Sequence, residues 1–198
     1  MSVIARNVLI VGCHPSPESR CTRLLRHIEA ELTAVGSAVI VDDLAALNFD
    51  PVLSHEGLQD YYRGAIPADM ASLVRHLQWA SDLVFVLPLW MFDMPAMLKG
   101  YFEKVFRPQV AFEFRENVLV PLLYNVRRMT VVVTHGRSAA ETTATGDASR
   151  EFFAKSLPSL LPRLETNARF DLYGLDAPDT GAHEKVVDDL RRHLAGGA

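Results

Sequence analysis

The sequence predicts a three-layer α/β sandwich whose central sheet is parallel, five-stranded and ordered 2-1-3-4-5, with helices on both faces. Three observations carry that prediction. Five short, almost charge-free segments recur along the chain, as strands covered on both faces require. Segments of helical period separate them, so the strands are joined by crossovers. No repeat, low-complexity tract or linker breaks the 198 residues, which fits a single domain over 1–198 closing one substantial core.

The elements follow in order. "NVLIVGC" (7–13) is an uncharged run ending in turn-forming residues and reads as the first strand. Leu24, Leu25, Ile28 and Leu32 recur at helical spacing over 20–35, and Gly36 closes that helix in the C′ role. "SAVIVDDL" (37–44) is the second strand. Residues 45–67, with Asp50-Pro51 and Gly64, read as a long connection, a length that usually accompanies function. A helix over 68–79 precedes the third strand, "DLVFVLP" (82–88). Pro95 opens the next helix, where its fixed φ and missing N–H suit the first turn. Met97, Leu98, Tyr101, Phe102, Val105 and Phe106 make its apolar face. "MTVVVTHG" (129–136) is the fourth strand and a helix over 148–163 follows it. "ARFDLYGL" (168–175) is the fifth, and an amphipathic helix over 180–194 ends the pattern.

Composition excludes several classes of function. A net charge of −4 with no basic stripe argues against nucleic acid. Cys13 and Cys21 make no disulfide framework and fit a reducing, intracellular compartment. The apolar run Val8 to Val11 is too short for a signal segment or a membrane span, so a cytoplasmic protein is expected.

In an open sheet of this order, ligands bind beyond the carboxyl ends of the strands, at the switch point between strands 1 and 3. Three loops should meet there: "HPSPESRC", "PLWMFDMP" and "THGRSAAE". The first enters a helix near Ser19 to Thr22, where free N–H groups and the helix dipole favour an anion and Arg20 adds charge. Ser19 acting only as a helix cap is the plainer alternative. The loop lacks both the G-x-G-x-x-G fingerprint and a Walker lysine, which argues against a Rossmann site or a P-loop. Cys13-His14 stands where a receiver domain would carry acidic residues. Cys21, near the helix N-terminus, is a candidate for a lowered thiol pKa, although no base or CxxC partner accompanies it. The seven histidines show no ligand spacing, so no metal is expected. "PLWMF" offers apolar area and backbone amides in one passage, as a flat heteroaromatic ring requires. Trp90, Met91 and Phe92 would otherwise be core or dimer contacts. A phosphate site beside a shelf for a flat ring describes a nucleotide-type cofactor.

These residues also carry a family resemblance. "PLWMFDMPAMLKGYFEKVFRP" resembles the signature of the flavodoxin-like NAD(P)H:quinone oxidoreductases, the DT-diaphorase family and its bacterial relatives. "HPSPESRCTRLL" is similar to that family's phosphate loop, and "VVVTHGRS" to its third loop, together spanning about residues 5–175. The resemblance implies FMN, or FAD, as cofactor, and NAD(P)H as co-substrate. It implies that Ser19, Arg20 and Cys21 hold the flavin phosphate with His14 beside the cofactor. Pro88, Leu89, Trp90, Met91 and Phe92 would line the isoalloxazine, and Thr134, His135, Gly136 and Arg137 would close its other side. It further implies a homodimer in which Phe112 and Phe114, at the places of two family tyrosines, cover a small-molecule electron acceptor from the partner chain. Several departures stand out. Arg20 replaces an aromatic residue and Cys21 an asparagine, and Arg137 stands at a usual glycine. Thr142 occupies the place of a tyrosine that steadies charge on the reduced flavin, and no histidine occurs between His135 and His183. Either His135 or Arg137 would then supply that support, or turnover with quinones would differ. The resemblance leaves one alternative from another class: a flavin-binding ancillary subunit of a bacterial potassium-efflux system. A one-electron carrier would need a strongly acidic docking face, which −4 spread over this chain does not provide.

Overall fold

The computed structural model describes residues 6–175 and 182–196. Its strands are β1 (Asn7–Gly12), β2 (Ala38–Asp43), β3 (Asp82–Pro88), β4 (Phe112–Arg115), β5 (Val118–Pro121), β6 (Arg128–Thr134) and β7 (Thr166–Leu172). Five of them form one sheet in the order β2-β1-β3-β6-β7, and every pairing in it is parallel. That is the expected 2-1-3-4-5 arrangement, with β6 and β7 as the fourth and fifth strands. The remaining pair, β4 and β5, is a separate antiparallel hairpin.

Helices cover both faces. The helical elements are α1 (Arg20–Ala34), α2 (His55–Arg63), α3 (Ala71–Trp79), α4 (Ala96–Val105), α5 (Ala139–Thr145), α6 (Ser149–Glu151) and α7 (Ala182–Leu194). Alternate residues of each strand serve opposite cores, because successive Cβ atoms point to opposite sides. Val8, Ile10, Val84, Val86 and Val132 pack toward α1 and α7. Leu9, Val11, Leu83, Phe85, Leu87, Val131 and Val133 pack toward α3, α4 and the segment after α6. Two apolar faces leave no polar alternation along a strand, and so these segments read as charge-free runs. Gly12 ends β1 under α1: a Cβ there would lie 2.1 Å from Leu25 Cδ1. The missing side chain lets the helix start directly above the strand end.

Two expectations are corrected and two elements are added. The connection over 45–67 contains α2, capped by Ser54, whose Oγ accepts from Gly57 N–H, and closed by Gly64 at φ +70°. No residue of α2 is buried, and Leu58, Tyr61 and Tyr62 give it only a single turn of apolar spacing. The single helix over 148–163 is instead α6, a π-helical turn at Phe152–Ser156 and a 3-10 turn at Leu157–Leu160; Pro158, at its second position, has no N–H for a continuing α-helix. The β4–β5 hairpin and α5 are additions to the sequence reading. Strand ends otherwise differ from expectation by at most three residues, and residues 180 and 181 of the expected last helix lie outside the described residues.

Candidate cofactor site

The parallel register places three loops side by side. Gly12 pairs with Val86 and Pro88 with Thr134, so the chain leaves β1, β3 and β6 at one edge of the sheet. There they surround a crevice of about 460 Å³, within the roughly 300–1,000 Å³ of small-molecule sites. All thirteen residues named from the sequence as cofactor contacts line it. Thr142, Thr145 and Leu175 complete the wall.

The first wall is the start of α1. Ser19 caps the helix, its Oγ accepting from Thr22 N–H at 3.0 Å. Arg23 N–H donates to Ser19 O, while the N–H groups of Arg20 and Cys21 have no acceptor among the described residues. Two free amides at the positive end of a fifteen-residue helix, with the Arg20 guanidinium beside them, make an anion seat. The first turn carries no acidic residue to compete for it. Capping and anion binding are therefore compatible here, since the cap uses a different amide. His14 stands at the edge of this wall, 5.3 Å from the Trp90 ring in an edge-on contact. Its Nδ1 accepts from Ser16 N–H, and burial holds its pKa below the usual value.

Cys21 corrects the sequence reading. Burial pushes its thiol up to about 12, overcoming the opposing hydrogen bond with Thr134. Burial thus disfavours the thiolate at ordinary pH, because the helix end that favours an anion here is also a desolvated place.

The second wall is the turn between β3 and α4. Trp90 and Asp93 exchange two backbone hydrogen bonds of 3.0 Å across Met91 and Phe92, which both take left-handed φ, +48° and +65°. Asn and Gly usually fill such a turn, so two large side chains there carry strain. The result is a projecting aromatic tip with Met91 87% exposed. The Met91 and Phe92 N–H groups have no acceptor among the described residues. Pro88 is buried, Leu89 half-buried and Trp90 exposed, so this wall passes from core to solvent along its length.

The third wall follows β6. His135 is 1% exposed. Its N–H donates to Leu172 O and its carbonyl accepts from Leu175 N–H. Its ring lies against Tyr173, with centroids 4.3 Å apart, and Nε2 meets Asp171 Oδ1 at 2.8 Å. Asp171 also receives Arg169 and Arg150. Burial pushes the Asp171 carboxyl up, but hydrogen bonds from His135 and Arg169 and the two guanidinium charges outweigh it and leave it at about 2. Gly136 and Arg137 N–H groups have no acceptor among the described residues. Arg137 places its guanidinium over the Phe92 ring. His135, Asp147 and Asp171 offer three oxygens or nitrogens within 4.8 Å of one another. Both carboxylates are already engaged by Arg150 and Arg169, which takes up the charge a cation would use.

Thr142 reaches the crevice because Ser138 and Glu141 form a capping box that starts α5 within the third loop. The S-x-x-E pattern of "SAAE" was the available signal for that helix. The hairpin had one too: "FEFRENVLVP" alternates around Glu116 and Asn117, both at left-handed φ. Phe112 and Phe114 sit on this hairpin and do not reach the crevice of their own chain. Phe112 is packed in the core, and Phe114 is 65% exposed.

Free amides in all three walls, a cation at the phosphate end and a flat apolar shelf together fit a phosphorylated flavin. The comparisons agree with that geometry. A family model described as a flavodoxin-like fold matches residues 6–170. A Haemophilus influenzae protein described as an uncharacterised NAD(P)H oxidoreductase is 35% identical over 131 residues, 66% of this chain and 64% of that one. A Pongo abelii ribosyldihydronicotinamide dehydrogenase [quinone] is 30% identical over 71% of this chain and 68% of its own length. The chain spans only 54% of the corresponding mouse enzyme. The solved NAD(P)H:quinone oxidoreductase of Methanothermobacter marburgensis superposes with a TM-score of 0.82 at 25% identity, over 97% of this chain and 98% of that one. Strand order, loop positions and sequence similarity converge: this chain belongs to the flavodoxin-like family that includes the NAD(P)H:quinone oxidoreductases.

Proposed function

We propose that the chain is a flavin-dependent NAD(P)H oxidoreductase that holds FMN in the crevice and reduces a quinone or a related small acceptor. A relative from Hahella chejuensis is described as an FMN-dependent NADH:quinone oxidoreductase, 40% identical over 65 residues. The observation that carries the reading is the convergence of free backbone N–H groups from three strand ends on one flat-walled crevice.

In this reading Arg20 and the Arg20 and Cys21 amides seat the phosphate. Trp90, Met91 and Phe92 flank the ring, and the Gly136 and Arg137 amides meet its polar edge. Bound flavin supplies hydride acceptance and donation at N5, so NAD(P)H and the acceptor use one exposed face in turn. The chain contributes binding, orientation and positive charge. Arg137 adds charge where reduction makes the crevice more negative, and Leu89 and Trp90 exclude water from one side of the ring. A second copy of the chain would complete the open face, with the exposed Phe114 ring among its contacts. A cytoplasmic setting belongs to the same reading.

The test is the absorption spectrum of the purified protein and its response to NADPH or NADH without oxygen. Flavin absorbance that bleaches with either donor and returns with a quinone is expected. Colourless protein that takes up neither FMN nor FAD overturns the proposal. Bound flavin with negligible turnover and a co-purifying membrane transporter would favour an ancillary subunit instead.

A further inference from the structure

Behind the third wall lies a cluster of charged groups that the cofactor contacts leave unexplained. Asp171 accepts from Arg169 Nε at 3.0 Å and from Arg150 Nη2 at 2.8 Å. Arg169 also binds Asp147 and the fully buried Ser149, and Arg150 donates to the Tyr173 hydroxyl at 2.6 Å. Two carboxylates and two guanidiniums balance, so the cluster is neutral before His135 is counted. Between Asp147 and Ser149, Ala148 N–H donates to Phe92 O at 2.9 Å. One network therefore joins the third wall to the aromatic turn.

An ionised carboxylate only accepts hydrogen bonds, so His135 Nε2 must carry the proton that meets Asp171. The other ring nitrogen, Nδ1, is buried and has no hydrogen-bond partner among the described residues. A buried unsatisfied nitrogen on a residue that lines the crevice requires a reason. The groups that face this ring are Asp171 and Arg169 from β7, Tyr173 beyond it, and Asp147 and Arg150 around α6. Arg137, on the same loop, is engaged with Phe92.

We infer that Asp171 is a positioning residue: it commits the His135 Nε2 proton and leaves Nδ1 as the wall nitrogen that takes a proton when negative charge is added to the crevice. The second half rests on the flavin reading above; the first does not. A proton comes from water to the Nδ1 lone pair, and the wall gains one positive charge as the crevice gains a negative one. Nearby negative charge favours the charged form of an imidazole, and the neutral cluster behind it leaves that response uncancelled.

Two measurements separate the halves. Nitrogen-15 histidine spectra of the apoprotein should show, besides His14, whose Nδ1 also accepts a hydrogen bond, a further ring with its neutral proton on Nε2. That signal should vanish in His135→Gln and become a mixture of tautomers in Asp171→Asn. A His135 proton on Nδ1, or a tautomer unchanged in Asp171→Asn, overturns the positioning role. In FMN-loaded protein, the midpoint potential against pH should show an inflection that both variants lose; a curve unchanged in His135→Gln overturns the proton uptake. Should Asp171→Asn fail to fold, Arg150→Gln removes one support of the same carboxylate at an exposed residue and should loosen the tautomer preference partially. Failure of the wild type to bind FMN would sink the cofactor reading and the proton uptake with it, while the tautomer spectra still decide the positioning.

Discussion

The Arg137 guanidinium lies 5.6 Å from the centre of the Phe92 ring, joining the third loop to the aromatic turn across the crevice mouth. Two walls supplied by different strands thereby hold one another. The same arginine is the nearest fixed positive charge on that loop, so its packing and its electrostatic role can be separated by measurement.

Arg137→Gly should lower the potential of bound FMN and slow turnover, because a positive charge leaves the side where reduction adds a negative one. The loss of an exposed cation–π contact should cost the apoprotein no more than about 1 kcal/mol. Redox titration beside thermal melting checks both. An unchanged potential with unchanged kinetics removes the electrostatic role.

Arg20→Ala should weaken FMN binding by roughly tenfold or more, as loss of one charge-assisted contact does. Riboflavin, which lacks the phosphate, should bind both forms alike. Fluorescence titration with the two ligands distinguishes them. Equal losses for both would place the phosphate elsewhere.

Met91 adopts φ +48° with an exposed side chain. Met91→Gly should relieve the left-handed strain and stabilise the apoprotein by about 1 kcal/mol. It should also weaken flavin binding by removing part of the shelf. Chemical denaturation and FMN titration should move in opposite directions. Lower apoprotein stability would show that the turn is not strained.

Asp171 gives a pH signature. Its carboxyl sits at about 2 in the fold against an ordinary 3.8, so the unfolded chain binds the proton more readily. Its stabilising contribution, on the order of 2 kcal/mol, is present above pH 4 and is lost as pH falls toward 2. Thermal midpoints of wild type should therefore drop across that window more steeply than those of Asp171→Asn. Parallel curves would remove Asp171 as the source.

The sequence made the sheet legible because its three central strands, β1, β3 and β6, are buried on both faces, which leaves nearly uncharged runs that little else produces. Strand order alone sends the three loops to one edge, and the family resemblance picked out the thirteen crevice residues within them. α2 was hidden because it is only nine residues long and its apolar spacing, Leu58, Tyr61 and Tyr62, spans a single turn inside a segment with Asp50-Pro51 and Gly64. α5 and the hairpin carry only short local signals, a capping box and a two-residue turn, which the longer helical and strand periods around them outweigh.

By itself the sequence determined the fold class, the strand order and the identity of the loops that meet, because burial and chain connectivity are written in residue type and spacing. Only the tertiary structure decided the chemistry of single groups. Cys21 is an inert thiol because the surrounding core desolvates it. His135 has one nitrogen committed and one without a partner among the described residues because Asp171 arrives from β7, thirty-six residues along the chain. Ionisation and hydrogen bonding depend on neighbours brought together by folding, and no local pattern of residues specifies them.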